Sequence, residues 1–291
     1  MEDLRLAILL MALLSVIIYF GVSRLARNLG PRWLDMLAVI FVILIGLYVR
    51  WVWGQLWIVE WIPLASVIVL ANWFPLLLGG LAAVLWQRMK PHPLWRKLPV
   101  QALLIAVTIW SVVYVVTGQE LECGNEWIEP RGPLPYRICL QTTKYTCSAA
   151  ASATLLEALG IPATEGEMAK LCLTREGTTW LGMYHGLKVK MRGTNFTPEF
   201  FEGTPDDLEQ HSRAYPVLLC CELTQETAAW EPDYAVDDGW IPGVAHTVVY
   251  FGLRGGFTMI GDPSQKDLEF WRKEDVENLW TGMGIRVVEK R

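Results

Sequence analysis

The sequence predicts an all-α bundle of four transmembrane helices followed by a single α+β domain. Three observations predict it. Hydrophobic residues make up 53% of the 291, with 15 tryptophans, which is too apolar for an ordinary soluble chain. Nearly all of that excess lies before residue 118. Beyond it the sequence turns polar and acidic, and helical patterns precede strand patterns. The expected division is a membrane domain at 1–118 and a globular domain at 119–291, the latter of ordinary size for one core. The net charge of −5 is mild and argues against nucleic acid as a partner.

Each apolar run is measured against the roughly 20 residues a helix needs to cross a bilayer. Leu6–Phe20 is the first span, Leu34–Val49 the second and Leu103–Val116 the fourth. Between Trp51 and Trp86 the pattern is interrupted by Glu60, Pro63 and Asn72-Trp-Phe-Pro75. The preferred division there is a short interfacial helix from Trp51 to Trp61 and one span from about Leu64 to Trp86. Trp51, Trp53, Trp57, Trp61 and Trp86 suit the headgroup boundary. Glu60 reads as a wet headgroup residue and Asn72 as hydrogen-bonding glue between helices. The start lacks the basic region and small-residue cleavage site of a signal peptide, so the first run reads as a span.

Orientation follows from basic residues in short loops. Arg24, Arg27 and Arg32 follow the first span, and Arg88, Lys90, Arg96 and Lys97 follow the third. Four spans place both basic loops in the cytoplasm and both termini outside, whereas five would split them. The expected setting is a bacterial plasma membrane with the second domain extracytoplasmic.

In the second domain, Ser148–Leu159 is a helix ending at Gly160, which puts Cys147 at a helix amino terminus. Thr164-Glu-Gly-Glu167 reads as a capping box for a second helix reaching Leu173, and Thr178 or Thr179 opens a third. Val217–Leu223, His246–Leu253 and Phe257–Ile260 read as strands, the last two joined across Arg254-Gly-Gly256. Lys273–Trp280 is a short helix and Ile285–Glu289 a final strand.

The six cysteines all lie in this domain. Cys123 and Cys139 flank a Pro- and Gly-rich arm and form a candidate disulfide. Cys220 and Cys221 would point to opposite faces of a strand, so at most one is expected in the core. No Cys-x-x-Cys or His-rich spacing occurs; neither zinc nor any cofactor is expected.

Four residues carry chemistry. Gln141 stands six positions before Cys147, a helix of small residues follows, and His246 and Asp262 lie at strand ends far downstream. That is the layout of a papain-like thiol hydrolase: a thiolate nucleophile, an amide donor to a developing oxyanion, a base and its orienting carboxylate. His185 reads as packed among aromatics. His211 falls in a polar loop, and Glu231, Asp237 and Asp238 form an acidic loop that could border the cleft.

Residues 138–288 resemble the double-glycine leader peptidases, the cysteine peptidase domains of bacteriocin-exporting transporters. The resemblance rests on Gln141, Cys147, Gly160, His246, Asp262-Pro263 and Trp280-Thr-Gly282. It implies a papain-like fold, thioester acyl transfer on a peptide or protein substrate, and a membrane-bound substrate or transporter as partner beside the lipid bilayer. Thr146 and Ser148 stand where the family has Asp and Gly, and the Gly-x-x-x-x-Gly-Lys-Ser/Thr motif of an ATP-binding domain is absent. A membrane-bound acyl transferase or amidase with the same triad, and a silent peptide-binding domain, are the alternatives.

Overall fold

The computed structural model describes residues 2–131, 134–236 and 239–290. The chain forms two compact units, one of residues 1–58 and 65–117, the other of 59–64 and 118–291.

The first unit is helical: α1 (Glu2–Ala26), α2 (Pro31–Trp51), α3 (Val67–Leu70), α4 (Phe74–Arg88) and α5 (Leu94–Val116). Among the described residues, α1, α2, α5 and the α3–α4 pair make four segments long and apolar enough to cross a membrane. The third is the buried one, for a reason written in its sequence. A Cβ at Gly79 would meet the Ser15 backbone carbonyl of α1 at 2.9 Å, and one at Gly80 would overlap the Phe41 ring of α2. Small residues thus let two neighbours close on α4.

The third span is not continuous. It breaks at Ala71–Trp73, where Pro75 in the first turn of α4 cannot supply the amide that would carry a helix through. The exposed backbone groups are taken up locally. Tyr48 Oη donates to Ala71 O (2.8 Å) and accepts from Trp73 N (3.1 Å). Asn72 Nδ2 donates to Ser111 O of α5 at 3.2 Å, the interhelical bond expected of it. The expected interfacial helix at Trp51–Trp61 is only a 3₁₀ turn, Leu56–Glu60; Gly54 at φ +79° ends the helical run before it. Glu60 is exposed.

The second unit is α+β. A short hairpin of β1 (Trp127–Ile128) and β2 (Ile138–Cys139) precedes α6 (Cys147–Ala158), α7 (Glu165–Leu171) and α8 (Trp180–Lys190). Then come β3 (Phe196–Glu202), α9 (Leu208–His211), β4 (Val217–Glu222), α10 (Gln225–Trp230), α11 (Asp233–Val236), β5 (Ala245–Arg254), β6 (Phe257–Gly261), β7 (Glu269–Trp271), α12 (Lys273–Leu279) and β8 (Trp280–Glu289). The described strands form an antiparallel sheet in the order β3-β8-β4-β5-β6-β7.

The sheet is covered on both faces. Val217, Leu219, Cys221, Val248 and Tyr250 join Trp240, Trp271 and Trp280 in one core cluster. On the other face lies α6, where Ser148 Oγ meets Thr247 Oγ1 at 2.8 Å. Ala149, Ala150, Ala151 and Ala153 are wholly buried, which keeps that helix close to the strands. Its buried hydroxyls are satisfied: Ser152 donates to Ser148 O (2.7 Å) and Thr154 to Ala150 O (3.1 Å).

Three expectations need correction. Cys220 and Cys221 are both fully buried, because β4 is a central strand with a layer on each side. Every cysteine is a free thiol, Cys123 and Cys139 included; β1–β2 register sets Cys139 opposite Trp127, and Cys139 is buried, its thiol pushed up to about 12 chiefly by that burial. At Thr164-Glu-Gly-Glu167 only half the capping box forms. Thr164 accepts from Glu167 N (3.1 Å), while the Glu167 carboxylate pairs with Lys190.

Candidate active site

Three segments meet at the open end of α6: the Gln141–Thr146 loop with the helix it leads into, the start of β5, and the turn after β6. Cys147 is the first residue of α6 and is partly exposed, whereas the residues after it are buried. The amide groups of a first helical turn have no intrahelical acceptor, and the helix dipole is positive there, which favours a thiolate.

His246 enters from β5, in register with Cys221 of β4. Its Nε2 bonds Asp262 Oδ1 at 2.8 Å, and its side chain is 14% exposed. The imidazole and the Cys147 thiol are close enough for each to shift the other's titration; with Nε2 held by Asp262, Nδ1 is the nitrogen left for the sulfur. Asp262 is fully buried and its carboxylate is saturated. Besides His246 it accepts from Trp240 Nε1 (2.9 Å) and from Ser264 N and Ser264 Oγ (both 2.7 Å).

Electrostatics follow from this geometry. Burial works against a charged thiolate, but the adjacent His246 cation and its hydrogen bond outweigh it, so the Cys147 thiol lies below the ordinary value. For His246, burial would favour the neutral ring, yet the Asp262 and Cys147 charges raise it well above normal. Asp262 is held low in spite of burial by His246 and the Ser264 hydrogen bonds. The three charges support one another, and the resting state they favour is thiolate beside imidazolium. The remaining thiols go the other way. Burial pushes Cys139 and Cys172 up to about 12 and raises Cys123, Cys220 and Cys221.

Gln141 is tied to the same turn, its backbone N–H donating to Pro263 O at 2.8 Å. Its side-chain Oε1 is buried without a hydrogen-bond partner. An orphaned buried acceptor costs ~1–3 kcal/mol, and it is the Nε2 of the same amide, not this oxygen, that can donate to an oxyanion. The structure therefore gathers Gln141, Cys147, His246 and Asp262 around one helix terminus.

Trp240 was not among the residues expected at the site. Its ring lies 4.5 Å from the His246 ring, tilted by 56°, and its Nε1 donates to Asp262 Oδ2, so it both covers and fastens the His–Asp pair. A tryptophan six residues before the histidine was the only signal. Of the residues set aside, His185 is buried in α8. His211 stacks on Phe201 with centroids 4.3 Å apart, on another part of the sheet. Glu231 is exposed at the end of α10; Asp237 and Asp238 lie outside the described residues. Among the described residues no three His, Cys, Asp or Glu side chains group as metal ligands.

No family profile and no curated protein matches the sequence. Several solved structures do resemble the chain. The peptidase domain of Streptococcus ComA, a bifunctional ABC transporter of a quorum-sensing pathway, is 20% identical with TM-score 0.42, over 53% of this chain and 99% of that one. The same domain from Streptococcus mutans ComA is also 20% identical, with TM-score 0.34 over 52% and 98%. A double glycine motif protease from an AMS/PCAT transporter, in complex with its leader peptide, is 15% identical with TM-score 0.37 over 57% and 99%. At these distances the likeness assigns no residue a role and this chain no substrate.

Proposed function

We propose that the second unit is a cysteine-type peptidase, anchored by the first in a bacterial plasma membrane and held on its outer side. The observation that carries this reading is the single thiol lowered in a set of six, placed at a helix start beside a histidine that a buried aspartate orients. In the proposed cycle the Cys147 thiolate attacks a peptide carbonyl, forming a C–S bond. The oxyanion is met by the Gln141 amide and the Cys147 backbone N–H. His246 protonates the leaving amine, then takes a proton from the water that hydrolyses the thioester, while Asp262 keeps its tautomer and stabilises its charge. The substrate is a peptide or leader segment presented at the membrane, the class implied by the resemblance of residues 138–288. The outward orientation rests on the basic loops at 24–32 and 88–97.

One labelling experiment tests chemistry and orientation together. A membrane-impermeant maleimide at pH 6, applied to intact cells, is expected to label the wild type and not Cys147→Ala, because Cys147 is the one thiol of the six held below its ordinary value while burial raises the others. Label appearing only after lysis would overturn the orientation. Equal labelling of Cys147→Ala, or none even after lysis, would overturn the primed thiol.

A further inference from the structure

Glu165, the first residue of α7, is a carboxylate with no exposure at all, and among the described residues no cation pairs with it. Its two oxygens are instead filled by donors from one place. Oε1 accepts from Thr142 N at 2.7 Å and from Thr146 Oγ1 at 2.6 Å. Oε2 accepts from Thr142 Oγ1 at 2.7 Å and, more weakly, from Asn125 N at 3.3 Å. A buried charge survives only if its lone pairs are met in this way, so the loop and the carboxylate are mutually obligatory.

The donors' positions in the sequence give this carboxylate a meaning. Thr142 directly follows Gln141, and Thr146 directly precedes Cys147. One carboxylate therefore grips the residue next to each of the two groups placed around the oxyanion. Thr143 N and Thr146 Oγ1, 3.4 Å apart, close the turn between them. A second layer fixes the clamp itself: Gly124 N donates to Thr142 Oγ1 (2.6 Å) and Asn125 Oδ1 accepts from Gly166 N (2.9 Å).

We infer that Glu165 is a positioning residue for the oxyanion hole, setting the separation of the Gln141 amide and the Cys147 N–H through Thr142 and Thr146. The inference rests on the cysteine-peptidase reading of the site. It acts on the transition state and not on the thiol, since neither clamped threonine touches His246 or Asp262 in the network described above. In Glu165→Gln an amide NH₂ must face donors on one side, breaking about half of the clamp without opening a cavity.

The test uses the full-length protein and two small reagents at Cys147. Iodoacetamide alkylates the sulfur without forming an oxyanion. With p-nitrophenyl acetate the thiolate attacks the carbonyl, the oxyanion collapses, 4-nitrophenolate leaves and the acetyl thioester remains. Glu165→Gln is expected to slow acetylation by about 10-fold or more, a fraction of the ~10²–10³ that losing a whole oxyanion donor costs. Alkylation should stay within about threefold of wild type, with its pH profile unmoved. Thr146→Val, which at constant shape removes one clamp bond together with the hydroxyl's turn bonds to Thr143, should slow acetylation less but in the same sense, and it decides the matter if Glu165→Gln does not fold. Equal loss of both reactions, or unchanged acetylation in both variants, would overturn the inference. A wild type that never acetylates at Cys147 would instead sink the peptidase reading beneath it.

Discussion

Gln141→Ala is expected to lower peptide hydrolysis by ~10²–10³ while alkylation of Cys147 by iodoacetamide proceeds almost unchanged. The two readouts separate because the thiolate is generated by His246 and Asp262, which Gln141 does not touch through its side chain. Its backbone bond to Pro263 O survives the change, so the loop should keep its course. The side chain removed has an Oε1 that bonds nothing in the folded protein, so thermal stability should hold or rise slightly. That combination identifies an amide kept for the transition state. Normal hydrolysis by the variant would make Gln141 structural; loss of alkylation as well would mean that the loop had collapsed.

Asp262→Asn should cost about 10-fold to 10³-fold in hydrolysis, less than the ~10⁴ known for the serine triad, because a thiol ionises more readily than a hydroxyl. The carboxylate accepts from His246, Trp240 and Ser264 at once. An asparagine can keep the Oδ1 side only by turning its NH₂ toward Trp240 Nε1, which leaves the two donors opposed. The pH dependence has a definite sign. The Asp262 charge raises His246, so the imidazolium persists until pH rises through that elevated value. Removing the charge lowers it, and the proton needed by the leaving amine is lost earlier as pH rises. The deficit should therefore widen toward alkaline pH. A pH–kcat profile that keeps its alkaline limb in the variant would deny Asp262 this role.

What could be read from the sequence follows a physical pattern. Helices with small buried residues and strands of alternating or continuous apolar residues declared themselves: α6, β4, β5 and β6 begin and end within a residue or two of their expected bounds, and α8 begins where expected. Cys147, His246 and Asp262 were legible because each stands at the end of such an element, where side chains of different elements can meet. Strand β3 was not, since Pro198 and two glutamates speak against a strand; as an edge pairing only with β8 it tolerates both. The break in the third span was visible as Asn72-Trp-Phe-Pro75, but Tyr48 as its hydrogen-bond partner comes from another helix. Trp240 and Glu165 escaped for the same reason. Their roles depend on which loop packs over which charge, and no periodicity records that.

The central claim is that Cys147 forms a thioester with a peptide acyl group. Intact-mass measurement of the full-length protein, acid-quenched within milliseconds of mixing with an activated peptide ester, tests it most directly. The account predicts an adduct of the acyl mass on Cys147 that decays with turnover, and none in Cys147→Ala. Turnover by Cys147→Ala, or an adduct that settles on another residue, would contradict it.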